Sequence, residues 1–237
     1  MLEKKKILGV GITNSTKEKI LEYILKSLEK KDKKLFVVTP NPEFLVLANK
    51  DSGFRKVLNN ADLALPDGVG VILAGRILGN SFEERVTGVD LMNDLIFHVA
   101  KKPITVGFLG GRDGVAEKTA ECLQKKHPKL KIAFVGEEWG IDSRRSNIDI
   151  LFVAFGAPKQ ETWISENLEK IPVRVAIGVG GSFDYIIGLV PRAPLFIRKI
   201  GFEWLFRLII QPWRLKRQLA LLEFAWLVLK EKFSSKP

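Results

Sequence analysis

From Ile104 onward, short apolar runs alternate with amphipathic stretches, and nearly every apolar run ends on glycine. The pattern predicts strands over 104–109, 130–135, 149–155 and 173–178, with helices over 113–126 and 159–168. Repeats of this kind build a parallel sheet with helices packed on it. The expected fold class is α/β, a Rossmann-like, mostly parallel sheet flanked by helices. Gly110, Gly111, Gly136, Gly156, Gly178, Gly180 and Gly181 fall at strand ends. Backbone N–H groups and helix N-termini can approach a pyrophosphate closely at such places. No window fits G-x-G-x-x-G, which counts against a nicotinamide enzyme.

The first third carries the same rhythm less plainly. A strand is expected over Ile7 to Ile12, and Asn14-Ser15-Thr16 then caps a helix through Ile20, Tyr23, Ile24 and Leu28. Leu35 to Val38 and Ala61 to Leu65 read as strands, separated by two helices that follow Pro42 and Ser52. Two polar marks follow these strands, Thr39-Pro40-Asn41-Pro42-Glu43 and Pro66-Asp67-Gly68. Ligands in open α/β sheets sit at the carboxyl ends of strands, so the two loops can bring a hydroxyl, an amide and a carboxylate around one crevice. Pro66 ends the ladder and Gly68 and Gly70 turn into the periodic run Val69, Ile72, Leu73, Ile77, which leaves Asp67 at a helix start. A carboxylate there either caps the helix or serves chemistry.

Other candidates follow in order. Arg85, in Arg85-Val86-Thr87-Gly88-Val89-Asp90, has the planar fork that fits phosphate oxygens. Gly156-Ala157-Pro158-Lys159-Gln160-Glu161 offers backbone donors, a cation and an amide at a helix start, and Asp184 closes Gly178-Val179-Gly180-Gly181-Ser182-Phe183-Asp184 within reach of a ribose or base. Plain helix starts explain both equally well. His98 reads as an ordinary helix residue. The chain has no D-x-D and no metal-spaced cluster of His, Cys or carboxylates, so arginine, lysine and helix dipoles would have to meet diphosphate charge. G-x-S-x-G is absent, and Cys122 is the only cysteine, which fits a reducing compartment.

Beyond Pro191 the rhythm gives way to a helical tail punctuated by Pro194 and Pro212. The expected division is a catalytic core over 1–191 and a basic, amphipathic appendage over 192–237. The formal charge is +11, and ten basic against three acidic residues put about +7 of it in this last fifth. Trp204, Trp213 and Trp226 lie there among many Leu, Ile and Phe. Basic residues with interfacial aromatics and a thick aliphatic face suit a membrane surface rather than nucleic acid, which would need exposed stacking platforms along a groove. Leu219 to Leu229, interrupted by Glu223, is too short to span a bilayer, and the start from Met1 has no signal-peptide h-region. A homo-oligomer that covers part of the apolar face is a further expectation.

Taken together the motifs resemble the WecG/TagA/CpsF family, glycosyltransferase family 26. The likeness rests on the stretches quoted above together with Ala61-Asp62, Leu91, Phe108-Leu109-Gly110-Gly111, Arg192-Ala193-Pro194 and Glu203-Trp204-Leu205, in the family's order over nearly the whole chain. The resemblance implies an inverting, metal-independent transfer of an N-acetylmannosamine-type sugar from a UDP donor to GlcNAc on undecaprenyl diphosphate, and it is nearest the TagA branch, which makes the linkage unit of wall teichoic acid in Gram-positive bacteria. It implies Asp67 as general base, with Thr39, Asn41, Arg85 and Gln160 in the same pocket. Arg207, Arg214 and Arg217 would contact the lipid diphosphate and close the site. Gly110, Gly111, Gly136, Gly156, Ala157, Lys159, Gly180, Gly181 and Asp184 are the expected UDP-sugar contacts. The sugar nucleotide is a substrate, and no cofactor or metal is expected. The enzyme would work on the cytoplasmic face of the membrane as a peripheral protein.

UDP-ManNAc-uronic acid remains open as the donor, since a uronate would need a further basic contact. Two departures from the family pattern stand out. Only a short polar link joins Gly140 to Asp149 where a longer segment with a helix is usual, and Gln211 precedes Pro212 where an acid is usual.

Overall fold

A computed structural model describes residues 2–30, 33–140 and 147–234, without the side chains of 216–218. Most of the 141–148 link and the side chain of Arg217 therefore lie outside the described residues.

The chain opens with an antiparallel hairpin, β1 (Lys4–Ile7) and β2 (Val10–Thr13). Two strands stand where one was expected, because Leu8 and Gly9 both take positive φ, 49° and 75°, and reverse the chain. Then come α1 (Lys17–Ser27), β3 (Leu35–Val38), α2 (Pro42–Lys50), α3 (Ser52–Asn60), β4 (Leu63–Ala64), α4 (Val69–Leu78) and α5 (Gly88–Val99). The second half runs β5 (Thr105–Gly110), α6 (Val115–Lys126), β6 (Lys131–Gly136), β7 (Ile148–Ala154), α7 (Lys159–Asn167), β8 (Val173–Gly178) and α8 (Ser182–Ile186).

Six strands pair in parallel in the order β4-β3-β8-β7-β5-β6. Strand side chains alternate between faces, and β3 shows the result. Leu35 and Val37 join α1, α5 and α6 through Ile20, Leu95 and Leu123, whereas Phe36 and Val38 join the hairpin, α2 and α3 through Ile12, Leu45 and Leu58. Both faces of the sheet are covered, as buried parallel strands require. The α/β, Rossmann-like expectation holds.

The tail forms α9 (Leu195–Lys199), α10 (Glu203–Ile210) and α11 (Leu215–Ser234). No side chain of α9 or α10 is fully buried. The later part of α11 differs: it lies on α2 and α4, and Phe224, Leu227 and Val228 enter the core at 5%, 8% and 1% exposure. Lys50 pairs with Glu223 at 2.7 Å, and Glu231 accepts the Leu8 N–H at 2.9 Å, which ties the hairpin turn to the end of α11. Leu219, Leu222 and Trp226 stay exposed on the opposite side. Among the described residues, no helix is long and apolar enough to cross a membrane.

Candidate active site

Four strands, β4, β3, β8 and β7, deliver their carboxyl ends to one cavity of about 370 Å³. The loop after β3 supplies Thr39, whose hydroxyl donates to the Gly178 carbonyl at 3.2 Å, and Asn41, whose side-chain oxygen caps α2 by accepting the Phe44 N–H at 3.1 Å. The loop after β4 supplies Asp67, whose N–H donates to the Pro40 carbonyl at 3.0 Å, so the two loops hold each other. Gly68 follows at φ 96°, a conformation that side chains rarely adopt, and it heads α4 with no side-chain cap. Asp67 thus does not cap the helix that follows it. Its carboxylate instead accepts the Gly88 N–H at the start of α5, at 3.3 Å.

Burial pushes the Asp67 carboxyl up to about 7; the Gly88 N–H and Arg85 oppose the shift, and Glu203 and Asp90 add to it. An ordinary aspartate ionises near 3.8, so folding favours the protonated form. The stability this confers is complete below pH 3.8, declines as pH rises and is gone above about 7. Asp67→Asn, which never ionises, is expected to melt higher than the native protein at pH 8, by a margin that shrinks toward pH 4. Glu161 is also raised to about 7 by burial, but it is common to both proteins and cancels in the comparison. A melting difference that stays flat with pH would mean that Asp67 titrates as a hydrated carboxylate.

The opposite wall comes from the loops after β7 and β8. Gln160 is almost fully buried, and its side-chain oxygen accepts both the Gly156 and the Gly180 N–H at 3.1 Å, while its amide donates to Glu161 at 2.6 Å. Gln160 therefore clamps two loops together. Asp184 and Tyr185 complete this side, and burial raises both, with Arg207 and Arg214 opposing.

The tail roofs the cavity. Arg207 lies over the Tyr185 ring at 4.8 Å and donates from Nε to Gln211 at 3.1 Å, so the unusual glutamine before Pro212 orients an arginine. It passes so near the main chain that a Cβ at Gly181 would sit 3.0 Å from its Nη2. Glu203, Trp204 and Arg214 line the cavity beside it. Arg85 enters from the core side and donates to the Arg198 carbonyl at 3.2 Å.

Most of the residues singled out from sequence meet here: Thr39, Asn41, Asp67, Arg85, Gly156, Ala157, Gln160, Gly180, Gly181, Asp184, Arg207 and Arg214. Four do not line the cavity. Gly110, Gly111 and Gly136 end β5 and β6, on the other half of the sheet, and the Lys159 ammonium lies over the Phe155 ring at 5.0 Å. The sequence assigned Tyr185 and Glu203 no role and Trp204 only a place at the membrane interface, although Tyr185 follows Asp184 directly and Glu203-Trp204 is one of the matched motifs. Among the described residues, no group of three or more His, Cys, Asp or Glu side chains is arranged to hold a metal ion.

A parallel sheet whose strand ends bring a half-buried carboxylate and several arginines to one cavity suits an enzyme that handles an anionic substrate, and the family comparison narrows the class. The chain belongs to the Glycosyl transferase WecG/TagA/CpsF family, whose model matches residues 5–237. Among its relatives, N-acetylglucosaminyldiphosphoundecaprenol N-acetyl-beta-D-mannosaminyltransferase of Bacillus subtilis (strain 168) is 32% identical over 99% of this chain and 94% of that protein. Proteins of the same name from Bacillus spizizenii and Staphylococcus aureus (strain MRSA252) are 36% identical over 87% of this chain and 83% of theirs, and 31% identical over 95% and 92%.

Proposed function

We propose that this protein transfers N-acetylmannosamine from UDP-ManNAc to GlcNAc carried on undecaprenyl diphosphate, with inversion and without a metal ion, in assembly of the wall teichoic acid linkage unit. One observation carries the reading: Asp67, raised toward neutral pH, lines the same cavity as Arg85, Arg207 and Arg214. The names of the relatives supply the acceptor and the sugar.

In this mechanism the acceptor hydroxyl attacks the anomeric carbon from the face opposite UDP. The new C–O bond forms as the bond to the β-phosphate oxygen breaks, UDP takes the electron pair, and the hydroxyl proton passes to Asp67. A carboxylate with a pKa near the working pH is an efficient acceptor of that proton. Arg85, already in position, stabilises the charge growing on departing UDP with no reorganisation, which is the support for a metal-free step, while Arg207 and Arg214 meet the lipid diphosphate. Thr39, Asn41 and the Gln160 clamp shape the sugar pocket. The tail serves as the appendage expected from sequence: Phe196, Ile209 and Trp213 are 65%, 70% and 73% exposed among its basic residues, a surface suited to the cytoplasmic face of a membrane where the lipid acceptor lies.

The test is UDP release from UDP-ManNAc with and without a lipid-diphosphate GlcNAc acceptor, in excess EDTA, with UDP-ManNAc-uronic acid as the comparison donor. Acceptor-dependent release that survives EDTA is expected with UDP-ManNAc. Loss of release in EDTA, restored by a divalent cation, would overturn the metal-free step; preference for the uronate would change the donor.

A further inference from the structure

Asp90 and Arg192 are 102 positions apart and form the best-made ion pair among the described residues. The Arg192 fork donates from Nη1 to Oδ1 at 2.6 Å and from Nη2 to Oδ2 at 2.7 Å. Neither residue lines the cavity, yet each is bonded to groups that do.

On the core side, Asp90 is at the third position of α5. It accepts the Thr87 hydroxyl at 2.7 Å, and its own N–H donates to that hydroxyl oxygen at 3.3 Å, so it fixes the first turn of the helix. That turn carries the Gly88 N–H which holds the Asp67 carboxylate. On the tail side, Arg192 Nε reaches Glu203 at 3.5 Å, at the start of α10, and Arg198 of α9 stands 3.9 Å from Asp90. Glu203, Trp204 and Arg207 then line the cavity from α10. α9 and α10 bury no side chain completely, so apolar packing alone fastens them weakly.

We propose that the Asp90–Arg192 pair is a positioning latch for the transferase reaction, pinning the root of the tail to the start of α5 so that Asp67 and Arg207 converge on one substrate. The inference rests on the transferase reading for its kinetic arm only. Burial alone would raise the Asp90 carboxyl, but the hydrogen bonds from Arg192 and Thr87 outweigh it and hold Asp90 below the ordinary range. The pair thus stays charged through the working pH range. A bidentate guanidinium–carboxylate pair also fixes direction, which a lysine cannot do.

The test is a double-mutant cycle on the full-length protein: Asp90→Asn, Arg192→Gln and both together, with Arg192→Lys and Asp90→Glu as conservative variants. Each single loss is expected to lower kcat with the lipid acceptor on the order of 10- to 100-fold, because small misplacements of reacting groups are costly. KM for the UDP-sugar should stay within about twofold, since the Gly156–Gln160–Gly180 wall does not touch the latch, and the double variant should be no worse than the poorer single. Asp90→Glu should recover part of the loss and Arg192→Lys less. Hydrogen exchange should quicken across α9 and α10 in the variants while β3, β7 and β8 stay protected. Unchanged kcat with unchanged exchange in α9 and α10 would overturn the latch, as would losses that multiply in the double variant. If native protein releases no UDP with this acceptor, the transferase reading fails on its own, and the exchange of α9 and α10 still decides the latch. A single variant that does not fold is replaced by its conservative partner in the same comparison.

Discussion

Asp67→Asn is expected to slow transfer to the lipid acceptor roughly 100- to 10,000-fold, the range that general-base catalysis supplies. The substitution nearly conserves shape. The carboxylate accepts a single backbone bond, from Gly88, and an asparagine oxygen can keep it. Donor binding should therefore survive, with KM for the UDP-sugar near the native value, and the loss should lie in kcat. In native protein the rate should fall about tenfold per pH unit below the Asp67 pKa, about 7 in the free enzyme. The variant should lose that limb. Stopped single-turnover assays at several pH values would check both points. Transfer that persists in Asp67→Asn with an unaltered pH profile would leave Asp67 as a partner of the α5 terminus and nothing more.

Paired replacement of Arg207 and Arg214 by glutamine should lower kcat/KM with the lipid-diphosphate acceptor on the order of 100-fold or more, the expected cost of losing charge-assisted contacts to a phosphate. It should also raise KM for the lipid-diphosphate acceptor above that for a soluble GlcNAc acceptor. Arg207 faces the flat Tyr185 ring, and Gln211 takes its Nε–H, so the guanidinium is fixed in plane before substrate arrives. Arg207→Lys would keep the charge and lose that fixing, and only slight recovery is expected from it. Equal losses on both acceptors would move the arginines from the lipid diphosphate to the departing UDP. Cutting the chain after Pro191 is a blunter test. It also removes Phe224, Leu227 and Val228 from the core and bares the faces of α2 and α4, so lost activity would not report on the arginines alone.

The sheet was readable from sequence because buried parallel strands appear as short apolar runs, and glycine marks where they end. The hairpin was hidden because its turn, Leu8-Gly9, continues the apolar run it interrupts. The core role of α11 was hidden for another reason: Phe224, Leu227 and Val228 alternate with exposed Leu222, Trp226 and Leu229, and helical spacing does not say which stripe meets protein. In the site, motifs adjacent to a strand end could be assigned to the crevice. Which crevice depends on strand order, which glycine does not encode, and so Gly110, Gly111 and Gly136 ended on the far half of the sheet. Asp90 and Arg192 could not be joined from sequence at all, because each is an ordinary surface charge until the fold brings them within 2.6 Å.

The bond between the Leu8 N–H and Glu231 has a consequence for biogenesis. It joins positions 223 apart, so the hairpin is synthesised well before α11, which it needs for its turn to be fully held. Contacts of such long range slow folding. α11 begins at Leu215 and the last sheet strand ends at Gly178, so synthesis at about 5–20 residues per second leaves the sheet a few seconds to settle before α11 is made. The arginine-bearing roof over the cavity runs directly into that helix, which packs on α2 and α4. Until α11 is made, a nascent chain would thus carry a paired sheet beneath a cavity whose roof is not yet in place.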